Sequence, residues 1–266
     1  MGEARLRSLF AEAAEHGTTV LLPFMTAGLP DPASSVAVFE AMAAAGADGF
    51  EVGIPYTDPL MDGPVIQRGS DQAIARGATL SVSLDLVGAV SSACDRPVLA
   101  MTYVNPVLRR GVDGFCAGLA ERGADGLIVP DLPIEEAAPF VEAARRHGLG
   151  MVLFAAPTST DDRVRRVAEA DPVFIYAVAE MGVTGERHDA GARIAQLSER
   201  IRRITDTPIV AGVGISTAEQ ARSAAAHVDG VIVGSALVRR VLDAETPQAA
   251  AESVGAAVAE LAAALH

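Results

Sequence analysis

The sequence contains no lysine, because all 21 residues counted as Lys or Arg are arginines. A Schiff-base aldolase needs a lysine amine as its nucleophile. Arginine cannot replace that amine, since the guanidinium group stays protonated. The composition therefore excludes imine catalysis by a lysine side chain.

Tryptophan is also absent, and aromatic residues make up only 4% of the chain. This composition argues against a cleft that binds sugars by stacking. The two cysteines, Cys94 and Cys116, lack a metal-type spacing, which favours two buried, reduced thiols. The net charge of −13 argues against binding to nucleic acid or to anionic membranes. An acidic chain can still hold a phosphate through backbone N–H groups.

Long hydrophobic runs are missing, although half of the residues are hydrophobic and suffice for a packed core. No apolar run approaches the ~20 residues that cross a membrane. The first residues lead into a short amphipathic segment rather than a secretion signal. We therefore expect a cytoplasmic protein with a single domain over residues 1–266.

Eight short apolar segments alternate with helix-like segments along the chain. They lack the polar alternation of half-exposed strands, as expected of a parallel sheet buried on both faces. The predicted strands are Val20–Met25, Gly49–Val52, Val98–Thr102, Gly126–Val129, Met151–Phe154, Val173–Val178, Ile209–Gly212 and Val231–Val233. Eight such units in about 250 residues predict a single (β/α)8 TIM barrel. An open doubly wound sheet is the alternative, although it would not require eight units.

The helix pattern adds elements to this repeat. A helix over Arg5–His16 precedes the first strand, and extra helices lie in the loops after strands 2 and 8. One continuous helix is predicted over Ile134–His147, whereas Tyr103–Pro106 is predicted to be a loop. Three similar segments echo one another, namely Gly46-Ala47-Asp48-Gly49-Phe50, Gly123-Ala124-Asp125-Gly126-Leu127 and His227-Val228-Asp229-Gly230-Val231. They are typical of one kind of junction, in which Asp-Gly leads from a helix into a strand.

Glu51 stands out because it interrupts an apolar, strand-like run. Burying a charged carboxylate costs several kcal/mol unless it is paired or neutralised. Asp62 lies in the loop that this strand enters, so two carboxyls reach the same mouth of the barrel, a layout suited to proton transfer. Two structural alternatives stay open. Glu51 could pair with an arginine inside the barrel mouth, and Asp62 could cap the helix that begins near Pro64.

Three other side chains near strand ends have competing interpretations. Tyr176 is either an aromatic residue of the core or a residue that assists catalysis. Asp58 is expected to form a turn or a cap. Asn105, the only asparagine, more readily fixes a loop or a contact than performs chemistry.

Glycine-rich turns follow predicted strands 6, 7 and 8, at Gly182–Gly185, Gly212–Ser216 and Gly234-Ser235. Glycines let the backbone approach an anion, and Ser235 opens a helix whose N-terminal N–H groups favour negative charge. Any βα turn can carry glycine, but three adjacent turns favour the phosphate site that barrels often place there. We therefore expect a phosphorylated substrate.

Several motifs together resemble the tryptophan synthase alpha subunit family, over about residues 21–239. They are Pro23-Phe24-Met25-Thr26-Ala27-Gly28-x-Pro30, Glu51-Val52-Gly53-Ile54-Pro55-Tyr56-Thr57-Asp58-Pro59-x-x-Asp62-Gly63-Pro64-x-Ile66-Gln67, Met101-Thr102-Tyr103-x-Asn105-Pro106, Pro130-Asp131-Leu132-Pro133 and Gly182-Val183-Thr184-Gly185. The resemblance implies cleavage of indole-3-glycerol phosphate to indole and glyceraldehyde 3-phosphate, a retro-aldol reaction with neither metal nor Schiff base.

The resemblance also implies roles for individual residues. Glu51 matches the family's catalytic glutamate, and Asp62 matches the aspartate that accepts a hydrogen bond from the indole N–H. Tyr176 matches the tyrosine beside the substrate, and Thr184 matches the lid threonine that orders Asp62. The phosphate-binding backbone groups of the family match Gly185, Gly214, Gly234 and Ser235.

A partner is implied as well. In this family the alpha subunit docks on a beta subunit that carries pyridoxal phosphate, forming an alpha2beta2 tetramer, while the alpha chain itself needs no cofactor. The family's contact loops match those that carry Asp58, Asn105, Asp131 and Pro133. Val213 and Ala179–Met181 depart from the commoner family pattern, without removing a catalytic group.

Alternatives of other kinds remain. A free-standing lyase that releases indole would use the same chemistry, and the departures near the lid are its only motivation. A two-carboxylate glycoside hydrolase would not need a phosphate site. A non-enzymatic binding barrel would be favoured by loss of Glu51 or Asp62, and both are present.

Overall fold

The computed structural model describes residues 2–178, 190–212 and 214–266. Its eight strands are β1 (Val20–Thr26), β2 (Phe50–Gly53), β3 (Val98–Met101), β4 (Gly126–Ile128), β5 (Gly150–Ala155), β6 (Phe174–Val178), β7 (Ile209–Gly212) and β8 (Gly230–Val233). They pair in parallel and in sequence order, and β8 pairs with β1 to close a barrel. The predicted (β/α)8 barrel is therefore confirmed, and the open sheet is excluded.

Twelve α-helices lie in the described part of the chain. They are α1 (Gly2–His16), α2 (Ser35–Ala44), α3 (Pro64–Ala75), α4 (Leu80–Cys94), α5 (Val104–Arg110), α6 (Val112–Glu121), α7 (Ala138–Arg146), α8 (Asp161–Glu169), α9 (Ala190–Arg202), α10 (Ala218–Ala225), α11 (Ser235–Leu242) and α12 (Pro247–Leu265). The extra helices after strands 2 and 8 are present as predicted.

Two helix predictions were wrong. Tyr103–Pro106 is not a loop, because α5 begins at Val104 and includes Pro106 in its first turn. Proline is tolerated there, since the first N–H groups of a helix have no partner within the helix. The continuous helix expected over Ile134–His147 is instead a 3₁₀ turn, Ile134–Glu136, followed by α7.

The N-terminal end of the barrel is covered by α1. Leu6, fully buried on this helix, lies against Gly126 and Gly150, the first residues of β4 and β5. Phe10, one helical turn further along, contacts the ring of Phe174 at the start of β6. With one end filled by these side chains, the loops at the C-terminal end are the ones left to form a site.

The repeated Asp-Gly segments form the same hydrogen-bonded junction three times. The N–H of Asp125 donates to the carbonyl of Val98, and its carboxylate accepts the N–H of Val98 at 2.8 Å. Asp48 bridges Leu21 in this way, and Asp229 bridges Ile209. Each aspartate therefore ties the start of β2, β4 or β8 to the strand before it.

Cys116 is buried, whereas Cys94 is only half-buried, so the expectation of two buried thiols holds for Cys116 alone. Within the described residues, no single helix is long and apolar enough to cross a membrane. By length and composition only, α3 and α4 would pass as a pair, and they are bent by 105°. The cytoplasmic location stays a prediction.

Candidate active site

A cavity of about 1860 Å³ opens at the C-terminal end of the barrel. Glu51 and Asp62 line it together with Tyr176, and Gly214, Gly234 and Ser235 line its other side. The cavity thus brings both predicted carboxyls and the described part of the predicted phosphate site into one space.

Glu51 lies in the middle of β2, opposite Phe24 of β1 and Leu99 of β3. It is only 3% exposed, and no described residue hydrogen-bonds to its Oε2. Burial, with a further contribution from the negative charge of Asp62, raises the pKa of Glu51 to about 8. No ion pair among the described residues includes Glu51, so the alternative of a structural pair with arginine finds no support. At neutral pH this carboxyl holds a proton that it can donate.

Asp62 lies half-buried just before α3. The N-cap of that helix is Gly63, and no side chain in the described chain caps it, so the capping interpretation of Asp62 is wrong. Gln67 donates to the backbone carbonyl of Asp62 at 2.8 Å and holds the turn. Burial raises the pKa of Asp62 to about 6, and a hydrogen bond from Tyr103 acts in the opposite direction. Near neutral pH Asp62 is therefore mostly ionised while Glu51 is mostly protonated.

Tyr176 lies on β6, and its ring stacks on Phe154 of β5 with centroids 5.0 Å apart. Burial first, and then the negative charges of Glu51 and Asp62, raise the pKa of the Tyr176 hydroxyl. Its ring occupies the space in which a side chain at Gly212 would lie. The absence of a side chain at the end of β7 is thus what admits this tyrosine beside the two carboxyls.

Four apolar side chains that were not predicted from the sequence complete the wall around the carboxyls. They are Phe24, Met101, Ile128 and Phe154. In a barrel whose strands are apolar on both faces, composition does not tell inward from outward positions. Gly53 is the sequence feature that could have indicated the position of Phe24, because a side chain at Gly53 would overlap the Phe24 ring.

The predicted phosphate site is described in part. Gly214 is exposed with φ +92°, a conformation that favours glycine, and a Cβ there would meet no atom within 4 Å. Gly234 is the N-cap of α11, and Ser235 is its first residue, so N–H groups at this end are available to an anion. Thr184 and Gly185 lie outside the described residues, as do the other lid positions Ala179–Met181 and Val213.

The four predicted partner-contact residues lie on neighbouring loops and on α5. Asp58, Asn105 and Pro133 are exposed, and Asp131 is half-buried. Asp58 lies in a tight turn as expected, because its backbone carbonyl accepts the N–H of Leu60 at 2.9 Å, and its carboxylate accepts the Thr57 hydroxyl at 2.7 Å. Asn105 lies in the first turn of α5 instead of in a loop.

Among the described residues, no three or more His, Cys, Asp or Glu side chains form a group that could hold a metal ion.

Sequence comparison assigns the family. The model of the tryptophan synthase alpha chain family matches residues 10–266. This chain belongs to that family.

Individual members of the tryptophan synthase alpha chain family align along nearly the whole chain. The alpha chain of Thermobifida fusca is 45% identical over 261 residues, covering 97% of this chain and 96% of its own length. The alpha chain of Salinispora tropica is also 45% identical, over 260 residues, with 98% and 97% covered.

Solved structures agree. Tryptophan synthase from Mycobacterium tuberculosis superposes with a TM-score of 0.89 at 38% identity, with 98% of each chain covered. The alpha subunit of tryptophan synthase from Legionella pneumophila superposes with a TM-score of 0.88 at 30% identity, again with 98% of each chain covered.

Proposed function

We propose that this chain cleaves indole-3-glycerol phosphate to indole and glyceraldehyde 3-phosphate by acid–base catalysis, as a carbon–carbon lyase. Family membership makes it the alpha-chain enzyme of tryptophan synthesis. The observation that carries the proposal is the pair of carboxyls at one cavity, with pKa values of about 8 for Glu51 and about 6 for Asp62. Such a separation assigns the acid and the anion to different groups at the same pH.

The reaction begins at C3 of the indole ring. Neutral Glu51 donates a proton to this carbon, and the ring becomes an indolenine that carries positive charge. The Asp62 carboxylate accepts a hydrogen bond from the ring N–H and stabilises that charge. The protonated ring can now receive the electron pair of the bond to the glycerol chain.

Bond cleavage returns the proton to Glu51. The Glu51 carboxylate takes the proton from the glycerol hydroxyl adjacent to the ring, the C–C bond breaks, and its electrons restore indole. The former carbinol carbon leaves as the aldehyde of glyceraldehyde 3-phosphate. Protons and electrons balance within the substrate and one carboxyl, so the proposal assigns this chain no cofactor.

The remaining predicted residues hold the substrate. Tyr176 and Phe154 form an aromatic wall beside the carboxyls, suited to a flat indole ring. Backbone groups at Gly214, Gly234 and Ser235 are assigned to the phosphate, together with Gly185. Thr184 is assigned to Asp62 as a lid contact, on the strength of the family resemblance.

We further propose that a tryptophan synthase beta subunit, which would carry pyridoxal phosphate, docks where Asp58, Asn105, Asp131 and Pro133 lie, in an alpha2beta2 tetramer. Three large apolar side chains are the most exposed of the described chain, and all lie near these residues: Leu60 at 86%, Met61 at 51% and Leu108 at 55%. Exposed apolar side chains grouped within a polar rim are typical of interfaces. Residues 1–266 are assigned to one domain, because the described helices and strands belong to one barrel.

The proposal is tested by indole release from indole-3-glycerol phosphate by the purified chain. Because the protein contains no tryptophan, indole fluorescence is free of a tryptophan background. Glu51→Gln keeps the shape but cannot donate or take the proton, so turnover should fall at least ~100-fold. Glu142→Gln, an exposed change on α7, is the control and should retain activity. Near-normal cleavage by Glu51→Gln would remove the assigned mechanism.

A further inference from the structure

Two tyrosine rings stack between the exposed loop face and the catalytic loop. Tyr56 follows β2, and Tyr103 is the N-cap residue of α5. Their ring centroids are 5.3 Å apart with an interplanar angle of 29°. At the outer end, the exposed amide of Asn105 donates to the Tyr56 hydroxyl at 3.1 Å. The pair therefore joins an exposed side chain to the protein interior.

The inner ring contacts the catalytic loop. Tyr103 is only 2% exposed, and its hydroxyl accepts the N–H of Met61 at 3.2 Å. The same hydroxyl lies beside the carboxyl of Asp62 and lowers the pKa of that carboxyl, against the larger effect of burial. Tyr103 thus holds the backbone next to Asp62 and favours the charged form of its carboxyl.

The Tyr103 ring has to be held in place for these contacts. On one side, the stacked ring of Tyr56 limits its movement, and the Asn105 amide anchors Tyr56. On the other, Asp131 accepts the N–H of Val104, the residue after Tyr103, at 2.9 Å. Of these two supports, the Tyr56 ring packs directly on the Tyr103 ring, and its anchor Asn105 is exposed.

We propose that Tyr56 is a positioning residue for Asp62, acting through the ring of Tyr103 and anchored by Asn105. Tyr56 touches no reacting atom; it sets how firmly the Tyr103 hydroxyl is kept on the backbone of Met61, next to the Asp62 carboxylate. The inference deepens the proposed function, on which its catalytic consequence rests. Asn105, which anchors Tyr56, lies on the face assigned to the partner. A partner that contacts Asn105 would therefore affect Asp62 through the rings of Tyr56 and Tyr103.

Other titratable groups lie near Asp62 or Tyr103, and they are the same in wild type and in the variants of Tyr56 and Asn105. Glu51 on β2 and Tyr176 on β6 face Asp62 from the barrel, and Asp131 acts on Tyr103 from the loop after β4. Asp58, in the same loop as Asp62, bonds to Thr57. Substitutions at Tyr56 or Asn105 alter none of these groups. A shift of the Asp62 titration midpoint in such a variant therefore reports the effect of Tyr56 acting through Tyr103.

The experiment is a ¹³C NMR titration of the aspartate side-chain carboxyls in the full, substrate-free chain, with the Asp62 signal assigned by its loss in Asp62→Asn. Tyr103→Phe removes the hydroxyl that lowers the pKa of Asp62 and should raise the Asp62 titration midpoint by about 1 pH unit. Tyr56→Phe and Asn105→Ala break the same outer bond. Each should raise the midpoint by a smaller, equal amount, and the double variant should add nothing.

Two further variants complete the design. Tyr56→Leu removes the stacked ring and should approach the effect of Tyr103→Phe. Leu108→Ala, an exposed change on the same helix, is the control and should leave the midpoint unchanged. Wild-type midpoints in Tyr56→Leu and Asn105→Ala, with Tyr103→Phe shifted, would overturn the proposal. A wild-type midpoint in Tyr103→Phe would overturn it as well.

The same variants are then assayed for cleavage of indole-3-glycerol phosphate. The acid limb of kcat/KM should move upward with the NMR midpoint, whereas a purely structural effect would lower the rate without moving that limb. If wild-type chain releases no indole, the proposed function fails, while the NMR titration still decides the positioning role of Tyr56.

Discussion

At the residue scale, the two carboxyls differ because their surroundings differ. Glu51 is on a strand inside the barrel, where no described side chain hydrogen-bonds to its Oε2 and burial favours the neutral form. Asp62 is on a loop and half-buried, so burial raises its pKa only to about 6, and the Tyr103 hydroxyl acts in the opposite direction. The opposed charge states therefore follow from the elements that carry the two residues.

The buried Glu51 should make the folded chain less stable as pH rises. Its pKa is raised on folding from 4.5 to about 8, so between these values the unfolded state releases a proton that the folded state keeps. The folded state therefore loses up to ~1.4 kcal/mol per pH unit through this group. Glu51→Gln removes that loss. Its unfolding free energy relative to that of wild type should therefore increase by at least ~2 kcal/mol from pH 5.5 to pH 7.5.

Urea unfolding at the two pH values measures this difference. Glu142→Gln, exposed on α7, is the matched control and should follow wild type at both. A constant difference between Glu51→Gln and wild type would mean that Glu51 is not held neutral.

A second substitution at this scale tests whether cleavage depends on the position of the Tyr176 ring. In Gly212→Ala the new methyl group overlaps the tyrosine ring, so the ring must leave its place beside the carboxyls. We expect a loss of about 1–3 kcal/mol in unfolding free energy and at least a tenfold loss of kcat/KM. Gly114→Ala on α6, where a Cβ meets nothing within 4 Å, should keep kcat/KM close to wild type and raise the unfolding free energy by about 0.5–1 kcal/mol. Unaltered kcat/KM in Gly212→Ala would show that the position of Tyr176 does not matter to cleavage.

At the element scale, the site depends on where strands begin and end. The repeated aspartates at the start of β2, β4 and β8 tie neighbouring strands together, and such ties support the barrel in which Glu51 and Tyr176 line one cavity. The sequence echo was visible because all three junctions use the same Asp-Gly pair. Its physical meaning, a side-chain acceptor for the N–H of the preceding strand, needed the three-dimensional pairing.

Removal of one such tie should destabilise the barrel measurably. Asp125 is buried, accepts the N–H of Val98 and lies 3.5 Å from Arg5. Asp125→Ala leaves that N–H without its side-chain acceptor and should lower the unfolding free energy by about 2–3 kcal/mol. Asp85→Ala breaks an exposed pair with Arg122 and should cost about 0–1 kcal/mol. Chemical denaturation compares the two, and equal losses would contradict the role assigned to the junctions.

Sequence reasoning found the features that break a local rule. A carboxylate in an apolar strand identified Glu51, and eight repeats identified the barrel. It missed α5, which begins at Val104 in the segment assigned to the loop after β3 and carries Pro106 in its first turn, where proline fits. It also missed the stacking of Tyr56 on Tyr103 and the inward position of Phe24, since both depend on contacts between strands and loops distant in sequence.

At the scale of the whole molecule, the two ends of the barrel differ. The N-terminal end is filled by α1, while the C-terminal end carries the cavity and the exposed apolar group Leu60, Met61 and Leu108. The proposed chemistry and the proposed docking face thus share one end of the barrel. A partner bound there would lie next to the loop of Asp62.

Addition of a tryptophan synthase beta subunit should raise the cleavage rate at least tenfold, as expected for coupled sites. Leu108→Glu places a charge on the apolar face and should abolish this activation while leaving the basal rate unchanged. Gln248→Glu adds the same charge on the exposed surface of α12 and should activate normally. Full activity without the partner, unchanged on its addition, would instead identify a free-standing lyase.

The most direct measurement of the central claim is the pH dependence of kcat/KM for cleavage by the wild-type chain. Catalysis needs Asp62 ionised and Glu51 protonated, so the curve should be a bell with limbs near pH 6 and pH 8. A rate that keeps rising above pH 9, or that is highest below pH 5, would contradict the assignment of the two carboxyls.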